Sequence, residues 1–493
     1  MMNGQGKSDA GVVPAKSPNK AGQPTAAEEM EGSPAAKGNL HQQNIHRIQG
    51  RERMHSALER VRQRAVQDKK LKFTSLMHHI ASVDTLREAY YSLKREASAG
   101  VDGQTWKYYG EKLEDNLQDL SGRLSRGAYR AKPVRRTWIP KADGKQRPLG
   151  VPALEDKIVQ YAAVLVLNAI YETEFLGFCY GYRPGRSQHN CLDALYTGML
   201  TKKVNWIIDA DIRGFFDTLD HGWLVKFIEH RIGDPRVVRL IQKWLSAGVM
   251  EHGRWEAVEQ GTPQGGVASP LLSNVFLHYV LDLWIHHWRK TEAKGDVIVV
   301  RWADDFVIGF QNKTEAERCL AELKKRFGKF GLTLHPEKTR LLEFGPFAID
   351  NRLKRNQGRP ETFDFLGFTH ICGKKRSNGM YTVIRRTVRK RLKRKLQEVK
   401  AELRKRMHAP VFEQGKWLGS VVGGFTRYYG VPTNSGAIQF FRFQIGRYWH
   451  FTLRRRSQTT RLTWERLSRL IARWLPPADI CHPYPLRRLG VIT

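Results

Sequence analysis

Two adjacent aspartates, Asp304 and Asp305, interrupt the otherwise apolar stretch VVRWADDFVIGF. The flanking residues 297–303 and 306–310 are apolar enough to be buried strands, which would place both carboxylates in the turn of a hairpin. Two neighbouring negative charges there repel each other and are costly unless a cation compensates them. Carboxylate oxygens are hard ligands that suit magnesium or manganese. The stretch therefore predicts a divalent metal site, and the alternative is an ordinary Asp-containing turn.

A third carboxylate, Asp211, ends the apolar run WIIDADI at residues 206–212. Three carboxylates from neighbouring strands could hold two metal ions, one activating an attacking hydroxyl and the other stabilising the leaving group. Asp209 and Asp217 lie nearby, and a strand period of two residues puts Asp209 on the same face as Asp211. The residues alone do not choose among these acids.

A glycine-rich stretch, EQGTPQGGVASPLLSNVFL, contains Gly261, Gly265 and Gly266. Glycines allow a backbone to approach a ligand closely. The following Ser269-Pro270 pair is typical of the start of a helix. Alone, this stretch could equally be an ordinary turn.

These motifs lie within a mixed pattern of helices and strands. Residues 1–45 are poor in apolar residues and are predicted to form a disordered tail, and residues 46–98 predict two helices and a loop. A hairpin is predicted at 137–152 and a long helix at 154–173. Further helices are predicted at 221–247, 270–290 and 313–330. Strands mixed with helices in this order predict an α+β or an α/β domain, of which we expect the α+β fold, followed beyond residue 384 by a separate basic α-helical domain.

The chain has 493 residues, a net charge of +35 and a pI near 10.1. This length predicts two or three domains, and 41% hydrophobic residues indicate real cores. So large a positive charge indicates a polyanionic partner, of which nucleic acid is the leading candidate. A generic basic surface and an anionic membrane are the weaker alternatives.

Cellular location can be inferred from what the sequence lacks. Its five cysteines are scattered singly, which is typical of reduced thiols. No secretory signal and no run of about 18 apolar residues is found. We therefore expect a soluble, cytoplasmic protein that does not bind membranes.

The motifs, taken together and in order, resemble the reverse transcriptases encoded by bacterial group II introns. The resemblance covers about residues 75–485. Eight blocks carry it: AGVDGQTW, IPKADGKQRPLGVP, GYRPGRSQHNCLDAL, DADIRGFFDTLDH, GTPQGGVASPLLSN, RWADDFVIGF, LTLHPEKTRL and FDFLGF.

The resemblance implies a right-hand polymerase with fingers and palm at 46–370, and a thumb and maturase domain at 371–493. Its palm would hold two Mg²⁺ ions, or Mn²⁺, on the three aspartates Asp211, Asp304 and Asp305. Four residues would contact the incoming deoxynucleotide or the base pair that it forms. Lys141 and Arg147 would bind the triphosphate, Phe216 would act as a steric gate, and Gln264 would touch the nascent base pair or template. Each residue taken alone would instead be a surface cation, a core Phe or a turn Gln.

The implied partners are the parent group II intron RNA, an RNA template with a DNA primer, target DNA and deoxynucleotides. Residues 385–406 would form basic helices along RNA or a primer–template duplex, and Trp449 would add stacking. The RNA contacts expected within this region and after it are Arg385, Arg389, Arg454, Arg455 and Arg456. The sequence lacks a His-Asn-His arrangement with paired CxxC motifs, so no endonuclease domain is expected.

One departure from the family pattern is Trp302, which stands where the family usually has Tyr before Ala-Asp-Asp. An indole keeps the aromatic bulk and moves the polar group. Two alternatives stay open: a reverse transcriptase serving a retron, a diversity-generating element or phage defence, and a splicing-only maturase that binds RNA and keeps the polymerase fold as a scaffold.

Overall fold

The computed structural model describes residues 34–140, 146–251, 254–257, 260–262, 265–375, 377–456 and 462–488. The α-helices are α1 (Pro34–Gln67), α2 (Met77–Ala81), α3 (Val83–Ser92), α4 (Trp106–Gly110), α5 (Leu113–Ser125), α6 (Leu154–Tyr171), α7 (Gln188–Thr201), α8 (Phe215–Thr218), α9 (His221–Glu229), α10 (Pro235–Leu245), α11 (Ser269–Leu277), α12 (Leu283–Thr291), α13 (Lys313–Lys329), α14 (Ala348–Lys354), α15 (Arg389–Lys405), α16 (Val411–Tyr429), α17 (Ser435–Arg454), α18 (Trp464–Trp474) and α19 (Pro485–Arg488). A π-helix, His278–Asp282, joins α11 to α12.

Three sheets accompany these helices. The strands are β1 (Val134–Pro140), β2 (Gln146–Val151), β3 (Trp206–Asp211), β4 (Val249–Glu251), β5 (Arg254–Glu256), β6 (Val297–Trp302), β7 (Asp305–Phe310), β8 (Arg340–Glu343), β9 (Phe363–Phe365), β10 (Phe368–Lys374) and β11 (Tyr381–Thr387). The central sheet has the order β6-β7-β3-β8 and is antiparallel. The other two have the orders β2-β1-β4-β5 and β11-β10-β9.

The central sheet is covered on both faces. Ile208 and Ile308 point into a large core shared with α6, α11 and α13, whereas Ile207 and Val307 point into a second core shared with α7. This alternation follows from the two-residue period of a strand. It explains why the strands read as continuous apolar runs in the sequence.

A third core lies in the C-terminal helices α15 to α18, with Trp449 completely buried in it. From residue 389 onward the described elements are helices, and the part that precedes them mixes helices with strands, as the prediction of an α+β fold requires. The expectation that Trp449 stacks on RNA is wrong, because its ring is enclosed and its indole N–H donates to Gln414 Oε1 at 2.9 Å.

Several boundaries differ from the prediction. Helix α1 begins at Pro34, inside the segment 1–45 predicted to be disordered, and residues 1–33 lie outside the described part. Three helices rather than two occupy 46–98. The predicted domain boundary at 370/371 falls inside β10, so a division after β11 would keep that sheet whole. The predicted hairpin forms from β1 and β2, and the turn predicted at 142–145 lies outside the described residues.

All five cysteines are unpaired, as predicted, and four of them are buried. Among the described residues, no helix is both long enough and apolar enough to cross a membrane.

Candidate active site

The Asp-Asp pair lies in the tight turn between β6 and β7. Trp302 pairs with Asp305 across the hairpin, which leaves Ala303 and Asp304 as the two central residues of the turn. Ala303 has a φ of 57°, in the left-handed region that a non-glycine residue seldom adopts. In a two-residue hairpin loop, a positive φ at the first central position matches the twist of the flanking strands. The predicted hairpin is confirmed.

Asp211 reaches the same place from the neighbouring strand. It is the last residue of β3 and lies directly opposite Asp305 in the antiparallel register. Residues directly opposite each other project to the same face, with Cβ atoms about 4.5–5.5 Å apart. The fold therefore brings together Asp211 and Asp305, with Asp304 beside them in the turn, as the sequence predicted.

The electrostatics of the turn show that its negative charges are crowded. Burial raises the pKa of the Asp305 carboxyl to about 7, and the charges of Asp304 and Asp211 add to the shift. Burial also raises the pKa of Asp304, where the charge of Asp211 again contributes. Crowded carboxylates of this kind are stabilised in their charged form by a nearby cation.

One cation contacts the site directly. The Lys338 ammonium donates to Asp211 Oδ2 and forms an ion pair with it. The segment 34–488, apart from its gaps, holds no group of three or more His, Cys, Asp or Glu side chains placed to enclose a metal ion. Sequence reasoning did not single out Lys338, although it lies in the block LTLHPEKTRL, because its contact with Asp211 joins distant parts of the chain.

The three acids of this stretch differ in their neighbours. Asp209 lies two residues along β3, opposite Val307, and its Oδ2 accepts from the Arg340 guanidinium at 3.3 Å. Burial raises the pKa of the Asp209 carboxyl to about 6. Asp217 lies on the short helix α8 and is exposed. Asp211 is thus the acid of this stretch that lies across from the Asp-Asp pair.

A buried ion pair between Arg301 and Asp282 contacts the backbone of the turn. The Arg301 guanidinium donates from Nε to Asp282 Oδ1 at 2.7 Å and from Nη2 to Asp282 Oδ2 at 2.5 Å, and neither side chain is exposed. Arg301 Nη1 donates to the carbonyl of Ala303 at 2.9 Å and to Asn274 Oδ1 at 3.1 Å. The π-helix presents Asp282 to this cluster, and such helices often occur at functional sites. The cluster fixes the backbone of the turn that carries Asp304.

Tyr182 is a second residue that sequence reasoning missed. Its φ is 59° and its side chain is half-exposed. Burial and the nearby charge of Asp304 raise the pKa of its hydroxyl. The preceding Gly181 packs against the turn so closely that a Cβ there would lie 2.4 Å from Ala303 N. The signal available in the sequence was the glycine that opens the block GYRPGRSQHNCLDAL, since a glycine permits such a close approach.

The glycine-rich loop lies against Phe216. Thr262 N donates to Phe216 O at 2.7 Å, and a Cβ on Gly261 would lie 2.6 Å from the same oxygen. Phe216 is largely buried and lines a cavity of 210 Å³ together with Pro148 and Leu149 of the β1–β2 hairpin. The glycine-rich loop, the β1–β2 hairpin and Phe216 therefore lie around one cavity.

The other predicted nucleotide contacts have different outcomes. Arg147 is exposed on β2. Its positive charge favours the ionised form of Asp304 and so opposes the rise in the pKa of that carboxyl. Lys141 and Gln264 lie outside the described residues.

The predicted RNA contacts separate into two groups. Arg385 lies on β11, not on a helix, and is only 1% exposed, with Nη1 donating to Asp193 Oδ1 at 3.1 Å. The expectation that its side chain contacts RNA is wrong, because the buried carboxylate holds it inside the protein. Arg389, Arg454 and Arg455 are exposed, and Arg456 is partly exposed.

Comparison with known proteins supports the same interpretation. Residues 139–370 match the family model described as "Reverse transcriptase (RNA-dependent DNA polymerase)". The chain is 33% identical to Protein YkfC of Escherichia coli K12 over 334 residues, which are 60% of this chain and 87% of that protein.

Two further relatives are named for introns. The chain is 35% identical over 344 residues to the group II intron-encoded protein LtrA of Lactococcus lactis, covering 57% of this chain and 56% of LtrA. It is 22% identical over 259 residues to nuclear intron maturase 4 of Arabidopsis thaliana, covering 52% of this chain and 29% of that protein. The chain thus spans about half the length of LtrA.

Proposed function

Since the chain belongs to the family of group II intron reverse transcriptases and maturases, which are RNA-directed DNA polymerases, we propose that it copies its parent intron RNA into DNA during retrohoming. We also propose that it binds the same RNA to assist splicing. The observation that carries the catalytic part is the meeting of Asp211, Asp304 and Asp305 at one edge of the central sheet.

The chemistry of the three carboxylates supports a divalent metal site, which would require their side chains to converge on the ions. Asp211 and Asp305 are cross-strand partners, and the pKa of the Asp305 carboxyl is raised to about 7 by burial and neighbouring negative charge. A hard cation would relieve this repulsion, and carboxylate oxygens suit Mg²⁺ or Mn²⁺. Two ions held by Asp211, Asp304 and Asp305 would supply activation of the primer hydroxyl and stabilisation of the leaving pyrophosphate.

The surrounding residues would position the substrates. We assign the central sheet to a palm, the β1–β2 hairpin to fingers and α15–α18 to a thumb with maturase functions. Arg147 would bind the triphosphate, because a guanidinium donates to two phosphate oxygens at once. Phe216, which lies between the palm and the hairpin, would disfavour a ribose 2′-hydroxyl. Lys141 and Gln264 keep their proposed roles at the triphosphate and the nascent base pair.

The exposed cations of the C-terminal helices support binding of the intron RNA, and Arg389, Arg454, Arg455 and Arg456 are the proposed contacts. Counterion release makes such a surface bind polyanions. Template–primer, target DNA and deoxynucleotides complete the set of proposed partners. A splicing-only maturase would keep these helices and would not need the three aspartates.

Extension of a DNA primer on an RNA template, with deoxynucleotides and Mg²⁺, tests this proposal. The chain should extend the primer, and the Asp304→Ala/Asp305→Ala variant should not. Asp350→Ala, which changes an exposed aspartate on α14, is the matched control and should extend normally. RNA binding measured on the same preparations shows that each variant is folded. Tight RNA binding without extension by the natural chain, with Mn²⁺ as well as Mg²⁺, would favour the splicing-only function.

A further inference from the structure

An open groove runs between α15 and α17 in the C-terminal helical region. It has a volume of 580 Å³, within the range of about 300–1,000 Å³ that is usual for pockets binding small molecules. Lys400 and Arg404 of α15 form one wall, and Arg447 and Arg455 contribute from the other side. No acidic side chain lines it.

Aromatic side chains lie among these cations. Phe451 is 50% exposed and Tyr448 is half-buried, and both line the groove. Phe440 and Phe443, also exposed, continue the same stripe of α17, because their spacing from Phe451 follows the helical repeat. A row of exposed phenylalanines is unfavourable in water and marks a surface that a partner covers.

The positive charges that line the groove are not paired with acidic side chains of the groove lining. From Gln414 to Trp464 the sequence has no Asp or Glu. The acids of α15 near the groove are used elsewhere: Glu398 pairs with Arg394, and Glu402 pairs with Arg406. The cations that line the groove are therefore available to an anionic partner.

We infer that this groove binds an unpaired, single-stranded segment of RNA, with a base stacked on Phe451 and phosphates held by Arg404, Arg447 and Lys400, whose ammonium lies 5.6 Å from the centroid of the Tyr448 ring. This inference rests on the proposed function, since it assigns a site to the proposed intron RNA partner. Unpaired bases stack on aromatic rings and on arginine planes, whereas a duplex hides the faces of its bases. The Gln444 amide, which also lines the groove, can donate to and accept from a 2′-hydroxyl.

The test is a binding titration of the full chain with a short fluorescein-labelled single-stranded RNA, followed by anisotropy. Excess unlabelled primer–template duplex occupies the polymerase cleft. Phe451→Ala removes one ring and no charge. Its matched control is Phe412→Ala on α16, a Phe 51% exposed with the Lys416 ammonium 5.8 Å from the ring centroid.

Phe451→Ala should raise the Kd for single-stranded RNA about 5-fold or more, because each stacked base contributes substantially to affinity. Phe412→Ala should leave the Kd unchanged. Equal Kd values for the two variants would overturn the inference, as would an equal loss on fully duplex RNA. Displacement of the RNA by polyglutamate as readily as by unlabelled RNA would also overturn it, because it would show a charged surface without base contacts.

The measurement also separates this inference from the proposed polymerase activity. Binding requires no catalysis, so a chain that failed to extend a primer could still show the loss with Phe451→Ala. Conversely, a chain that extended a primer while Phe451→Ala bound RNA normally would keep the polymerase and lose this site. The natural chain should bind single-stranded DNA of the same sequence more weakly, because DNA lacks the 2′-hydroxyl proposed to meet Gln444, and equal Kd values for RNA and DNA would overturn the assignment to RNA.

Discussion

Arginines of the sheet region and arginines of the C-terminal helices carry the same charge in opposite settings. Arg301 and Arg385 are at most 1% exposed, and each donates to a buried carboxylate. Arg404 and Arg447 line an open groove with no acid among its lining residues. The arginines that contribute to the net charge of +35 therefore have two different functions. Buried arginines hold segments of the sheet region together through buried carboxylates, and exposed ones are available to nucleic acid.

The largest effect on stability is expected from Arg301→Met. This change leaves the Asp282 carboxylate buried without its cation, and such losses lower the free energy of unfolding by about 3–5 kcal/mol. Chemical denaturation measures it. A variant as stable as the natural chain would contradict the framework role assigned to this buried arginine.

A second variant separates positioning from stability. Arg301→Met/Asp282→Leu should recover much of the lost stability, because replacing both members of a buried ion pair with apolar residues is often neutral. Its kcat for primer extension should stay low with little change in KM, since the Ala303 carbonyl has lost its donor. Full recovery of kcat would show that Arg301 acts only on stability.

A smaller loss is expected from Arg385→Met, because Asp193 keeps its second partner, Arg488, at 3.1 Å. We expect a decrease in the free energy of unfolding of about 1–3 kcal/mol and an unchanged Kd for RNA. Arg389→Met, at an exposed position, is the control and should not change stability. Weaker RNA binding by Arg385→Met with normal stability would show that this arginine belongs with the exposed group.

The exposed group should show the opposite behaviour. Arg404→Gln/Arg447→Gln should change the free energy of unfolding by no more than about 0.5 kcal/mol. The slope of log K against log salt for RNA binding should decrease by about one for each lost phosphate contact. Arg469→Gln, an exposed arginine of α18 outside the groove, is the control. A slope as steep as that of the natural chain would exclude these two cations from the RNA contact.

The sequence was most informative where local patterns decide the structure. The apolar runs around Asp304 and Asp305 predicted the β6–β7 hairpin, and the Ser269-Pro270 pair predicted the start of α11. The family resemblance selected Asp211 from three nearby acids, and the register with Asp305 confirms that the two meet.

Contacts between distant parts of the chain could not be predicted. Arg385 was assigned to a helix because basic residues dominate its neighbourhood, yet its strand is fixed by pairing with β10 and its side chain by Asp193 of α7. The approach of Lys338 to Asp211 likewise joins segments far apart in sequence. Neither residue type nor local periodicity reports such contacts.

The assignment of Asp211, rather than Asp209, to the catalytic metal site is tested most directly by primer extension with one substitution at each position. Asp211→Asn should lower the extension rate at least ~1,000-fold, because it removes a carboxylate opposite Asp305. Asp209→Asn, which loses only the contact with Arg340, should stay within about tenfold of the natural chain. Normal extension by Asp211→Asn, or inactivation by Asp209→Asn alone, would contradict the proposed site.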